Sequence, residues 1–402
     1  MTRGSRARVA ALVLLTALAG CTGTVRGSAS PADDATPTAA PSTSAPSTTE
    51  PGEPPIEITP PPARGVGLLL EAHRIASVTA LVQTSFPDRT DTCFPSGPST
   101  SAQGLESVYF TAGTAAPILE DYGFVTAWGQ CNRTVDGEFA TITLAMELSD
   151  PQAAVRAANE LVEAQAVDGF EIVPVETDGG ALLLQEGDRA TVQAFVPVGR
   201  MVAYVWHQGL AAAAGDDITR VLGDQVTLLQ GFSPTPQADV PSLPTDPDGL
   251  QAMTLDPPGD FNDFSGPYDF EGYLRISIDP ARERELLGGN GFSGFYAKQS
   301  EEGETLYAVA VYRFGTVEQT NAVYDGFREL ETTAFGGTPF VLPAIPQAPC
   351  FVFDAGDGAF YQRCYVGFRT FLASVDVGGL SAPDDYARMN ELLPAQRDLI
   401  DD

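Results

Sequence analysis

Five cysteines and two histidines, with a stretch of acidic residues past the middle of the chain, hold most of the chemistry this sequence could perform. Cys93, Cys131, Cys350 and Cys364 have neither CxxC spacing nor a histidine beside them, which argues against metal ligation or a redox pair. Four thiols in an exported chain read as disulfides, for which three connectivities exist. Pairing Cys93 with Cys131 and Cys350 with Cys364 keeps each bridge inside one half of the chain. Residues 351–353 and 359–366 read as strands around a turn at 354–358, so Cys350 and Cys364 fall at facing positions of a hairpin, within bridging reach. Each bridge is expected to contribute about 3 to 4 kcal/mol through loop closure.

His73 lies in the amphipathic segment 70–78, and His207 closes a strand beside Trp206. No third ligand motif accompanies them, and both read as structural. The acids Asp256, Asp260, Asp263, Asp269 and Glu271, with Asn262, suggest calcium, but an EF-type loop needs an oxygen ligand where Phe264 stands and glycine where Ser265 stands. A solvated acidic loop is the default, with an irregular calcium site as the alternative. There is no GxSxG, no Ser-x-x-Lys using Lys298 and no HExxH, and Gly65 and Gly67 lack the third glycine of a dinucleotide loop. No catalytic residue, metal ligand or cofactor is assigned. A Ser, His and acid site assembled from distant positions stays open.

Cys21 carries a different chemistry. It follows Leu18, Ala19 and Gly20 at the end of the apolar run 9–18, itself preceded by Arg3, Arg6 and Arg8. A charged start, a short apolar core and a small-small-Cys exit make residues 1–20 similar to a bacterial lipoprotein signal, too short for a spanning helix of the mature chain. Such a signal implies cleavage before Cys21, diacylglycerol on its sulfur and an acyl chain on its new amino group. Two or more acyl chains hold a protein firmly at a membrane. The membrane is thus an expected partner through Cys21, and the outer face of the cell membrane the expected location.

Formal charge is -31, and Lys298 is the only lysine. So acidic a surface repels phosphate backbones and anionic headgroups, which excludes nucleic acid as a partner; solubility is the commonest reason for such a charge. Residues 21–62 are rich in Ser, Thr, Pro and Ala and read as a disordered, partly extended tether. Beyond it, a hydrophobic content of 43% is ordinary for folded protein, and the length suits about two domains.

An internal repeat sets the expected architecture. Residues 123–128 lead through the turn 135–137 into the strand 139–148, as 291–296 lead through 301–303 into 306–314. Each hairpin runs into a helix. The first opens at Asp150 with Pro151 in its first turn and carries Val155, Ala158 and Val162 on one face; the second opens at Thr316 with Gln319 three residues on and buries Val323, Phe327 and Leu330. Strands at 170–175, 182–184, 191–196 and 201–206 then correspond to 339–343, 351–353, 359–366 and 370–375, with Arg200 and Arg369 opening the return strands. The closing helices are 217–229 and 383–400, where Pro394 should kink or split the second. The spacing also predicts a helix over 67–82.

These elements predict an α+β fold of two tandem related domains, each an antiparallel sheet with helices on one face, ferredoxin-like in style. The expected division is signal 1–20, tether 21–62, first domain 63–233, linker 234–249 and second domain 250–402. The order of Cys21 lipobox, Pro/Thr spacer, the segment 69–76, the Asp150–Pro151 step, the Arg200 strand and the linker 245–249 resembles two-domain actinobacterial lipoproteins catalogued as a domain of unknown function. That resemblance implies location and domain count, and carries no active site. The expected function is a binding or accessory role without catalysis, with a small apolar ligand or an envelope protein held between the domains. The alternatives are a cell-envelope hydrolase with an unrecognised site and a purely structural envelope component.

Overall fold

The run Met201 to Val205 is buried at every residue, as is Tyr307 to Tyr312. A strand without polar alternation must be covered on both faces. The computed structural model, which describes residues 64–167, 169–173, 179–356 and 358–401, has that construction. Cys21, the signal 1–20 and the tether 21–62 lie outside the described residues, as does the end of the expected strand 170–175.

The elements run α1 (Arg64–Ala76), α2 (Val82–Ser85), β1 (Asp91–Ser99), α3 (Ala102–Tyr109), α4 (Ala116–Asp121), β2 (Thr126–Arg133), β3 (Ala140–Glu147), α5 (Pro151–Gln165), β4 (Glu171–Val173), β5 (Gly180–Glu186), β6 (Arg189–Val198), β7 (Met201–Leu210) and α6 (Ala214–Gln230). After a 3-10 turn at Val240–Ser242 come β8 (Asp260–Phe261), β9 (Gly266–Tyr268), α7 (Phe270–Leu274), α8 (Pro280–Gly288), β10 (Phe292–Glu302), β11 (Thr305–Phe314), α9 (Val317–Thr333), β12 (Thr338–Phe340), β13 (Cys350–Gly356), β14 (Ala359–Phe368), β15 (Phe371–Leu380) and α10 (Ala387–Asp401). Two antiparallel sheets result. Their orders are β1-β2-β3-β7-β6-β5-β4 and β8-β10-β11-β15-β14-β13-β12, with β9 also on β10. The connectivity is the same in both. The repeat is longer than the sequence suggests, because each copy begins with an edge strand and two short helices ahead of its first long hairpin.

The helices cover both faces of each sheet, which corrects the expectation of one covered face in the ferredoxin style. On β7, Val202 and Tyr204 pack in the cluster that holds Ala154, Ala158 and Leu161 of α5, whereas Val205 packs with Val221 of α6. On the second sheet, Tyr365 stacks on Phe327 of α9 and Tyr312 packs against it at a tilt, while Val375, Val377 and Cys364 face Met389 and Leu393 of α10. The unbroken apolar runs demanded this arrangement.

Three smaller expectations also change. The helix expected over 67–82 ends at Ala76, because Gln225 of α6 takes the Ala80 amide (2.7 Å) and donates to the Val78 carbonyl (2.9 Å), holding the chain in a turn. Of the kink or split expected at Pro394, the split does not occur: the residue lies inside one helix, near Gln396, whose side chain reaches Met253 O (2.8 Å) and Leu255 N (2.7 Å). Arg369 is the counterpart of Gly199 rather than of Arg200. Val198 pairs with Met201 as Phe368 pairs with Phe371, and the residue after each first member is left-handed, with φ of 58° and 51°.

Candidate binding crevice between the two sheets

Helix α1 is amphipathic, and it buries Ile75 and Ala76 against the α6 face of the first sheet, with Leu70 and Ala72 also buried. Its other side meets β9 and α7 of the second copy, so one apolar cluster runs from Trp128 and Ala203 through Ile75 to Tyr268, Tyr273 and Phe295. Polar contacts fix this seam. Ser77 donates to Asp269 (2.6 Å), which also caps α7 through the Gly272 amide (2.7 Å), and Arg275 donates to the Thr79 carbonyl (2.7 Å).

Residues 234–249 are held against α1 from the other side. Buried Glu71 accepts from the Thr235 amide (2.8 Å), the Thr235 hydroxyl (2.7 Å) and Arg74 (2.7 Å). Arg200 reaches the Thr235 carbonyl and lies 2.5 Å from Glu147, whose carboxyl burial pushes up to about 7. Gly67 allows the closest approach, since a Cβ there would lie 2.2 Å from the Val240 carbonyl oxygen. The glycine noted as part of a failed dinucleotide loop is a packing residue.

Between α1, this segment and the β9–α7 junction lies a crevice of about 300 Å³. Leu70, Leu243, Pro244, Pro247, Pro267 and Tyr268 supply apolar walls, with Asp248, Asp269 and Arg74 at the rim. Both acids are already engaged, Asp269 as above and Asp248 by Arg313 at 2.8 Å. The floor is His73, stacked on Tyr268 with ring centroids 4.2 Å apart, its Nε2 2.9 Å from the Asp263 carbonyl oxygen. Burial drives the His73 pKa down to about 4, against the raising effect of the Asp263 and Pro267 carbonyls. The floor is therefore uncharged at neutral pH. Ser77 and Asp269 share the crevice with His73, but Ser77 gives its proton to Asp269, so hydroxyl and imidazole form no nucleophile and base pair.

His207 stands elsewhere, with neighbours distinct from those of His73. Its Nδ1 lies 3.1 Å from Thr141 Oγ1 and 3.3 Å from Arg89, and its Nε2 lies 3.6 Å from Asp217. Hydroxyl, imidazole and carboxylate are neighbours, but Nε2 has no hydrogen-bond partner in the protein, and Thr141 and His207 have no exposed surface for a substrate to reach. Burial first, then the charges of Arg89 and Arg220, lower this imidazole to about 3. It acts as a neutral acceptor for Arg89 under the stacked ring of Phe86, at 4.9 Å.

The four cysteines form Cys93–Cys131 and Cys350–Cys364, each at a directly paired register position of neighbouring strands. The first joins edge strand β1 to β2; the second joins β13 to β14. They occupy non-equivalent places in the two copies. Two such bridges fit an oxidising, extracytoplasmic compartment. The acids 256–271 disperse: Asp256 pairs with Lys298 (2.5 Å), Asp269 caps α7, and Glu271 pairs with Arg275 (2.7 Å) and Arg284 (2.5 Å). No group of three His, Cys, Asp or Glu side chains among the described residues converges to hold a metal. Among those residues no helix is long and apolar enough to cross a membrane.

Residues 58–245 match the sequence family described as "Domain of unknown function (DUF7373) N-terminal". No curated protein matches the chain. Among solved structures, the chain is similar to the extracellular domain of PknH from Mycobacterium tuberculosis at 13% identity, over 29% of this chain and 68% of that one, with a TM-score of 0.23. It is also similar to TP0453 in crystal form III, at 10% identity over 71% and 86%, with a TM-score of 0.20. At these scores neither likeness carries an argument about fold or use.

Proposed function

We propose that this protein is an extracytoplasmic binding or accessory lipoprotein, anchored by acyl chains on Cys21 to the outer face of the cell membrane and without a catalytic role. In this reading two related halves, 63–233 and 250–402, are joined by 234–249, and a small, largely apolar ligand sits in the crevice between them. The observation that carries it is the crevice itself. About 300 Å³ of space walled by leucine, proline and tyrosine, over a neutral imidazole and with its rim acids already paired, is suited to holding a molecule and unsuited to activating one. The lipobox and the two disulfides support the location.

Mass spectrometry of small molecules retained by the protein purified from its native host tests the reading. The wild type should carry a ligand that the crevice-filling variant Leu243→Trp loses. Repeated preparations without any retained molecule, or equal retention by Leu243→Trp, would overturn it. Cys21→Ser should move the protein from the membrane fraction to the medium, and an unchanged distribution would remove the anchor.

A further inference from the structure

The α9 face of the second sheet encloses a polar chamber that the crevice does not touch. Arg363 of β14 lies at its centre, donating to Asp376 (2.7 Å), to Tyr361 (2.6 Å) and to Glu331 of α9 (3.1 Å). Tyr365 donates to the same Glu331 oxygen. Glu283 of α8 accepts from Tyr273 and from the Ile278 and Asp279 amides, each at 3.2 Å. A void of about 60 Å³ remains among these groups, lined also by Phe295, Tyr312 and Phe327. Three carboxylates therefore face one guanidinium. Glu331 is wholly buried and lines the void, and its Oε2 has no hydrogen-bond partner in the protein.

The first copy supplies an internal comparison. Helix caps Asp150 and Thr316 are equivalent, which makes Gln165 the counterpart of Glu331. Phe195 pairs with Tyr204 and Gln193 with Trp206, as Tyr365 pairs with Ser374 and Arg363 with Asp376. Leu144, opposite Tyr204, corresponds to Ala310, opposite Ser374. The same fold thus fills this place in one copy with leucine, phenylalanine, tyrosine, tryptophan and two glutamines. In the other it has small residues, an open space and four ionisable groups. Nothing in the topology requires the charged version, and removing charges from water is costly.

We propose that this chamber of the second copy is a binding site for a small organic ammonium ion. The excess of carboxylates calls for a cation, and the tyrosine and phenylalanine faces suit an alkylammonium. The absence of a metal-competent cluster among the described residues argues against a bare divalent ion. The volume limits the guest to about two to four non-hydrogen atoms. Half-buried Ile276, Ser277 and Gln299 form the mouth. Burial pushes Glu331 up and Glu283 up to about 7, and the charge of Arg363 offsets part of both shifts.

The test is saturation-transfer NMR on the methyl signal of methylammonium chloride with the full chain in detergent micelles, at constant ionic strength set with sodium chloride. Saturable binding is expected for the wild type. Glu331→Gln should weaken it at least tenfold. Ala310→Leu changes no charge and copies the residue of the first copy, and it should abolish binding while the protein still melts cooperatively. Absence of saturable binding to the wild type overturns the proposal, as does wild-type affinity in the folded Ala310→Leu protein, whether or not Glu331→Gln folds. The site is distinct from the crevice, so loss of either reading leaves the other standing.

Discussion

At His73 the environment, rather than the residue type, sets the behaviour. The imidazole titrates near its ordinary 6.5 in an unfolded chain and at about 4 in the folded one, because burial penalises its charged form. Between those values the unfolded state binds the extra proton. The stability contributed by neutral His73 is therefore complete above pH 6.5 and is lost as pH falls toward 4, by about 3 kcal/mol in all. Asp263, whose own carboxyl burial pushes up, opposes part of that slope. His73→Phe, which keeps a ring against Tyr268, should flatten the loss of urea stability between pH 6.5 and 4, and an unchanged slope would place the acid sensitivity elsewhere. Arg369 shows the converse case, where the backbone rather than the side chain is the constraint. Its φ of 51° is a conformation that costs a residue with a Cβ, offset slightly by its guanidinium 4.8 Å over the Phe368 ring. Arg369→Gly should raise stability by about 0.5 to 1 kcal/mol in chemical denaturation, and a loss would show that the stacking outweighs the strain.

At the scale of elements, the two bridges differ in the chain they close. Cys93–Cys131 spans 38 residues and Cys350–Cys364 spans 14, so replacing each pair by alanine should cost about 4 and about 3 kcal/mol respectively. Denaturation midpoints giving the reverse order would mean that native packing at buried Cys350 and Cys364 matters more than loop closure. Hairpins, long helices and the second bridge were legible because their signals are local: Asp150 and Thr316 cap helices through nearby amides, and Cys350 faces Cys364 across a short turn. The edge strand β1 was hidden by Pro95, Gly97 and Pro98, residues tolerated only at a sheet edge or bulge. Helices α3, α7 and α8 are short, yet Ser101, Asp269 and Asp279 cap them and were available as signals. The covering of both faces is signalled by the lack of polar alternation in Met201 to Val205 and Tyr307 to Tyr312, a cue separate from the strand propensity of those runs. The charged chamber was invisible since its members lie on separate elements. Glu331 falls four residues after Phe327 on the buried stripe of α9, the one local hint.

The whole molecule depends on a core that neither copy owns. Ile75, Leu81 and Trp128 share one apolar cluster with Tyr268, Tyr273 and Phe295, so removal of residues 250–402 would leave a large apolar face open to water. A chain ending at 249 should aggregate or lose fixed tertiary signals, and calorimetry of the full chain should give a single transition; two separated transitions would mean that the seam is weak. Helix α1 is also the first described element, and it takes part in both the seam and the crevice. Tension on the amino-terminal side would then enter at the joint between the copies instead of at a free end. A load applied at residue 64 and the width of the crevice would then be mechanically one variable.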